Sequence, residues 1–220
     1  MKHETILLDI ETQRDFFDPA GTCYAPEADE VAKRIGRLFN WAWLNRVPVI
    51  STVLRVRLHN PGPLANVPHC VEGTEGEQKI SESLLRLRVN MGLRNTTDLP
   101  PQILRKYGQV IFEKRFTDVF AHERIERLIT EMDLCTFVIC GVGVAKGIVQ
   151  AAIGLRTRGF GVILASDAVL DLGDPGAGMA CRRMEAKGVI FAPTEEIVAP
   201  KPARPRAAFR TSAPAGAKKE

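Results

Sequence analysis

The chain has 220 residues, of which 45% are hydrophobic and 25% charged, enough for one well-buried core and within the range of one large domain. No apolar run approaches the roughly 20 residues that cross a bilayer, and Met1-Lys2-His3-Glu4 leads straight into a strand-like run, so a cytoplasmic protein without a membrane partner is expected. The net charge of +4 is concentrated in the last twenty residues; without them the body stands at −1 and offers no basic stripe for a specific nucleic-acid partner.

Short Val- and Ile-rich runs alternate with segments of helical period, the pattern of a parallel sheet covered on both faces by helices. The expected fold is a three-layer α/β/α, Rossmann-like domain with a doubly wound six-stranded parallel sheet. Its strands are Thr5–Ile10, Val47–Val53, Gln109–Phe112, Thr136–Gly141, Gly161–Ser166 and Gly188–Phe191. The expected helices are Asp29–Asn45, Ala121–Met132, Ile148–Arg158 and about Pro175–Ala186. In the first of these, Val31, Ile35, Leu38, Phe39 and Ala42 recur at three- and four-residue spacing and form one apolar stripe.

Between Leu54 and Lys106 the pattern weakens to one helical stretch near Ser81–Arg88 among several Pro and Gly residues. So long an irregular stretch in a compact domain points to a segment that covers or lines a site. The expected domain spans residues 1–198, followed at 199–220 by a basic, Pro- and Ala-rich tail with too little apolar surface to order itself.

Five cysteines, Cys23, Cys70, Cys135, Cys140 and Cys181, lack Cys-x-x-Cys spacing and read as reduced thiols. In open α/β sheets ligands bind beyond the C-terminal strand ends, where the strand order reverses. Asp9 and Glu11 stand at the end of the first strand, Lys114 past the third, and Gly141-Val142-Gly143-Val144-Ala145-Lys146-Gly147 after the fourth. A carboxylate and a lysine at neighbouring strand ends stabilise each other's charged forms, and a strand-to-helix turn presents backbone N–H groups to an anion. Asp9 is expected to satisfy nearby turns.

These residues carry a resemblance. Glu11-Thr12-Gln13-Arg14-Asp15-Phe16-Phe17, His69-Cys70-Val71-Glu72-Gly73-Thr74-Glu75-Gly76, Glu113-Lys114-Arg115-Phe116, the loop and helix at Gly141–Gly159 and Ala165-Ser166-Asp167-Ala168 follow one another as in the isochorismatase-like cysteine hydrolases. That superfamily includes isochorismatases, nicotinamidases and N-carbamoyl amide hydrolases, and the likeness covers about residues 4–192. It implies a homo-oligomer, dimer or tetramer, acting on a small molecule. The catalytic aspartate, lysine and cysteine of the family fall on Glu11, Lys114 and Gly147. Phe16, Phe17 and Arg55 join the implied binding site, and Gly143, Val144 and Gly147 the oxyanion loop, which in the family includes a cis peptide. Gly143 and Gly147 equally suit plain tight packing of helix on strand.

Only the lysine is unchanged. Glu keeps the charge of Asp on a longer arm and can still act as a base. Glycine has no side chain with which to form a covalent intermediate, and loss of a key triad member costs on the order of 10⁶ in turnover. Cys140, inside a strand, and Cys70, expected to be more exposed, are the only nearby thiols that could substitute. The metal site of nicotinamidase-like members, an aspartate and two histidines, has no counterpart at Ser51–His59, which holds no aspartate and only His59. No metal and no cofactor is therefore expected. Arg55 and Arg57, two apart on an extended segment, point the same way and are placed either to meet an anion or simply to be solvated.

Three functions follow from this reading. The first is a superfamily homologue without the cysteine nucleophile, an inactive or altered enzyme that binds a small amide or carboxylate. The second is an amide hydrolase in which Glu11 activates water and Lys114 supports the oxyanion. The third is a structural or regulatory subunit of an oligomer.

Overall fold

A computed structural model describes residues 3–60 and 62–200; most of the basic tail expected at 199–220 lies outside the described residues. The chain forms β1 (Thr5–Ile10), α1 (Arg14–Phe17), α2 (Ala28–Leu44), β2 (Val49–Leu54), β3 (Arg88–Asn90), α3 (Ile103–Lys106), β4 (Gln109–Lys114), α4 (Glu123–Thr130), β5 (Thr136–Val142), a π-helical turn (Val144–Ile148), α5 (Val149–Thr157), β6 (Gly161–Leu170), α6 (Ala177–Ala186), β7 (Ile190–Ala192) and α7 (Thr194–Val198).

All strands are parallel, in the order β3-β4-β2-β1-β5-β6-β7. The sheet therefore has seven strands instead of the expected six. The extra one, β3, falls where a weak helical stretch was expected near Ser81–Arg88; a short 3-10 turn at Ser81–Ser83 is all the helix there is. Edge pairing of Arg88, Val89 and Asn90 with Gln109, Val110 and Ile111 of β4 overrides the local helical pattern.

Alternation along the strands sends side chains to two cores. Ile6, Leu8, Ile10, Phe112, Phe137 and Ile139 pack under α4, α5 and α6. Leu7, Val49, Val138 and Cys140 pack against α2, whose stripe of Val31, Ile35, Leu38, Phe39 and Ala42 is buried as its spacing predicts. Each of the larger side chains so buried contributes about 1.5–3 kcal/mol. No helix among the described residues is long and apolar enough to cross a membrane.

The chain starts in the middle of its sheet, builds outward through β2, β3 and β4, then crosses to the other side of β1 with β5. The reversal places the C-terminal ends of β1, β4 and β5 around one crevice, which positions the site.

Candidate functional site

Glu11 follows the last residue of β1 in a left-handed conformation, φ 55°, which for a residue with a Cβ costs roughly 1–2 kcal/mol. Two backbone bonds hold it there: its N–H donates to Thr52 O at 3.2 Å, and its carbonyl accepts from Gln13 N at 2.8 Å. The turn swings the carboxylate toward the end of β4, where Lys114 Nζ donates to Glu11 Oε1. The same ammonium donates to Phe116 O at 2.6 Å and Thr117 O at 3.1 Å, so all three of its donors are engaged. Glu11 is 0% and Lys114 1% exposed.

The other carboxylate oxygen, Glu11 Oε2, is buried with no hydrogen-bond partner. It faces Gly147: a Cβ there would stand 3.4 Å from Glu11 Oε2, from Ile10 Cγ2 and from Thr117 O. Gly147 lies in the π-helical turn, a distortion common at functional sites, between β5 and α5. The structure thus brings together the three residues that the resemblance assigns to catalytic positions, and a methyl group at Gly147 would meet its neighbours at contact distance without overlapping them.

The remaining expected site residues fare differently. Gly143 is left-handed at φ 83°, and a Cβ on it would come within 2.9 Å of Leu64 Cδ2, so Leu64 closes over the loop. Val144 packs into the core under α4 and α5. Phe16 and Phe17 are buried as well, Phe16 against the His69 ring at 5.5 Å, while Phe17 keeps an edge on a recess shared with Arg14 and Ile80. No cis peptide occurs among the described residues, in contrast to the family's loop.

Arg55 is paired with two carboxylates of the chain itself. It contacts Glu77 and donates to Glu113 Oε1 at 2.7 Å, because the 75–88 segment folds back over β2 and β4 and delivers Glu77 to it. Arg57 is exposed. Asp9 accepts from Thr12 Oγ1 at 2.8 Å, as expected for a residue serving a turn, and also pairs with Lys79 Nζ at 2.7 Å.

Cys70, expected to be the more exposed thiol, is fully buried; Asp15 accepts its backbone N–H and pulls the 69–71 segment under α1. Burial pushes its thiol far above the ordinary range, with Asp15 and Glu11 adding to the shift. Cys140 is buried inside β5 as expected, and burial followed by the Asp9 carboxylate raises its thiol in the same direction. Neither thiolate is therefore available as a nucleophile near neutral pH.

His69, for which the resemblance implies no role, is buried and hydrogen-bonded at both ring nitrogens. Its Nδ1–H donates to Val67 O at 2.8 Å and its Nε2 accepts from Leu64 N at 3.4 Å. Burial lowers its pKa, in keeping with a neutral ring. With both nitrogens engaged and His59 exposed on its loop, the residues present do not fit a divalent metal, and no three His, Cys, Asp or Glu side chains among the described residues cluster to hold one. Gln13 is a strap: its amide donates to Leu54 O and Glu77 O, each at 2.8 Å, and accepts from Leu54 N at 2.7 Å.

Comparison with known proteins bears on the fold. The family described as the Isochorismatase domain matches residues 94–196, the part that supplies Lys114 and Gly147. Solved structures share the fold over most of the chain. A pyrazinamidase/nicotinamidase from Streptococcus mutans UA159 is 18% identical, with a TM-score of 0.66 over 86% of this chain and 100% of that one. A pyrazinamidase of Pyrococcus horikoshii, solved in complex with zinc, is 20% identical, with a TM-score of 0.65 over 87% of this chain and 99% of that one. An N-carbamoylsarcosine amidase from Thermoplasma acidophilum is 17% identical, with a TM-score of 0.63 over 88% and 98%. No curated protein matches the chain significantly. The fold is the isochorismatase-like one.

Proposed function

We propose that this chain, with its Isochorismatase domain match and isochorismatase-like fold, is a homologue of those hydrolases that has lost the cysteine route. It binds a small amide- or carboxylate-bearing molecule at Glu11, Lys114 and Gly147. The observation that carries the reading is the orphaned Glu11 Oε2 beside the glycine. A buried carboxylate oxygen without a donor is costly to maintain, and a ligand N–H or O–H would satisfy it. Relative to the family pattern, the longer arm of glutamate extends into room that the absent cysteine side chain leaves free.

The same oxygen favours a second reading, in which the free carboxylate oxygen acts as a general base. Glu11 Oε2 would take a proton from water, the water oxygen would add to an amide carbon, and the leaving amine would recover the proton as the C–N bond breaks. Lys114 could support the oxyanion only by giving up one of its three present acceptors.

The deciding experiment compares the unchanged protein with Gly147→Cys and with Glu11→Asp/Gly147→Cys. Each is assayed for ammonia release from nicotinamide, small amides and carbamoyl amines, with isochorismate cleavage followed separately. Turnover only in the cysteine-bearing variants supports a binding protein whose pocket survives. Turnover by the unchanged protein that Glu11→Gln abolishes, and that Cys70→Ala and Cys140→Ala leave intact, supports the water route. No turnover by any of them, together with no ligand protection of Gly147→Cys against alkylation, counts against both.

A further inference from the structure

A recess opens over the sheet beside the 75–88 segment. It has a volume of about 570 Å³, and its floor is formed by neighbouring strands: Val53 of β2, Ile111 and Glu113 of β4, and Asn90 of β3. Val53 pairs in register with Glu113, and Ile111 with Asn90, so these side chains stand side by side on one face. Gln78, Lys79 and Leu84 make one wall, and Arg86 and Arg88 stand at the rim.

The charges in this recess are unevenly matched. Arg55 sits between Glu77 and Glu113, and Asn90 Nδ2 donates to Glu113 Oε1 at 2.7 Å, so both carboxylates are charge-paired within the chain. The Lys79 side chain is 4% exposed and spends two of its three donors on Asp9 Oδ2 at 2.7 Å and Thr12 Oγ1 at 2.6 Å. Among the described residues neither Arg86 nor Arg88 has a carboxylate partner; Arg88 Nη1 donates to Leu85 O at 2.8 Å, which fixes the orientation of its fork. Arg86 comes from the bend before β3 and Arg88 from β3 itself, and both line the recess.

We propose that this recess binds a small molecule with an apolar or aromatic body and one carboxylate or phosphate group, the body resting on Val53, Ile111 and Leu84 and the anion clamped by Arg86 and Arg88. An arginine pair matches the planar or tetrahedral oxygens of such groups with charge-assisted hydrogen bonds. Arg55 cannot take that role because its own carboxylates hold it, and this explains why the arginine singled out in the sequence is not the one that meets the ligand. The site shares no residue with Glu11, Lys114 and Gly147, and its occupancy does not depend on the function proposed for them.

The test is calorimetric titration of the whole protein with benzoate and with phenyl phosphate. Binding of one equivalent of either probe is expected. Arg86→Ala/Arg88→Ala should weaken it at least about tenfold, as expected for the loss of charge-assisted bonds. Arg57→Ala, outside the recess, should leave it unchanged. Preference for one probe identifies the anionic group. If the double variant fails to fold, Arg86→Ala alone serves, since that side chain is exposed and makes no contact that folding needs. Absence of binding by both probes at about 10 mM, far above the micromolar to millimolar range of such sites, overturns the proposal. So does binding that persists undiminished in a folded double variant.

Discussion

Lys79 and Asp9 form a second buried lysine–carboxylate pair, with Nζ 2.7 Å from Oδ2, two residues back along the chain from the Glu11–Lys114 pair. One strand end thus carries two buried carboxylates, each neutralised by a lysine from a different segment.

The first prediction concerns that pair. Lys79→Met leaves Asp9 charged and unpaired in the interior and should cost about 3–5 kcal/mol in urea unfolding, whereas replacing both partners with apolar residues should cost less. Equal losses in the single and double variants would show that the charge of Asp9 is not what the lysine is there to balance.

Gly141 and Gly147 should respond oppositely to an added methyl group. At Gly141, φ is 128° and a Cβ would lie 2.0 Å from Ile10 O, so Gly141→Ala must push β5 away from β1 and should cost about 3 kcal/mol or more. At Gly147 the nearest atoms are 3.4 Å away and Gly147→Ala should change stability by less than about 1 kcal/mol. Thermal unfolding of the two variants side by side checks the contrast.

Thiol labelling should divide the cysteines. Cys23 and Cys181 are partly exposed; Cys70, Cys135 and Cys140 are buried. Burial pushes every one of these thiols up, Cys135 to about 11, so thiolate is scarce below pH 8 and alkylation should accelerate as pH rises. Iodoacetamide should modify two thiols in the folded protein and five in urea, counted by mass spectrometry. Rapid labelling of Cys70 in the folded state would refute its burial.

His122 predicts an acid weakness. It is 1% exposed, and burial first, then the charges of Arg124 and Lys114, lower its pKa to about 4 against opposing help from the Glu113 backbone. A base whose pKa is lower folded than unfolded binds fewer protons in the folded state between those two values. Its contribution is therefore complete above about pH 6.5 and is lost as pH falls toward 4, to a limit of about 3 kcal/mol. His122→Phe, which keeps an aromatic ring against Phe112, should reduce the difference in urea stability between pH 7 and pH 4.5.

What was legible in the sequence was whatever depends on short-range pattern. The apolar runs at Ile6–Leu8 and Phe137–Ile139 mark strands buried on both faces, and the stripe on α2 marks its inward side. Glu11 and Lys114 were legible as a pair because each stands at a strand end. β3 was not, since Arg88-Val89-Asn90 is three residues with two polar side chains and becomes a strand only because β4 lies beside it. The partners of Arg55 were likewise hidden: Glu77 and Glu113 are distant in the chain and reach it only after the 75–88 segment folds back. The burial of Cys70 depends on Asp15 accepting its N–H across 55 residues of sequence, which no local window contains.

The sheet begins at its own centre and finishes at both margins with strands of three residues, β3 and β7. Each margin therefore offers only about 10 Å of unpaired backbone, too little to template another chain's strand, and the Arg and Asn side chains on β3 further discourage it. A self-association of this protein cannot simply continue the sheet from one copy into the next; it has to be assembled from helix surfaces and loops, and the rim arginines of the 75–88 segment lie beside one of those margins.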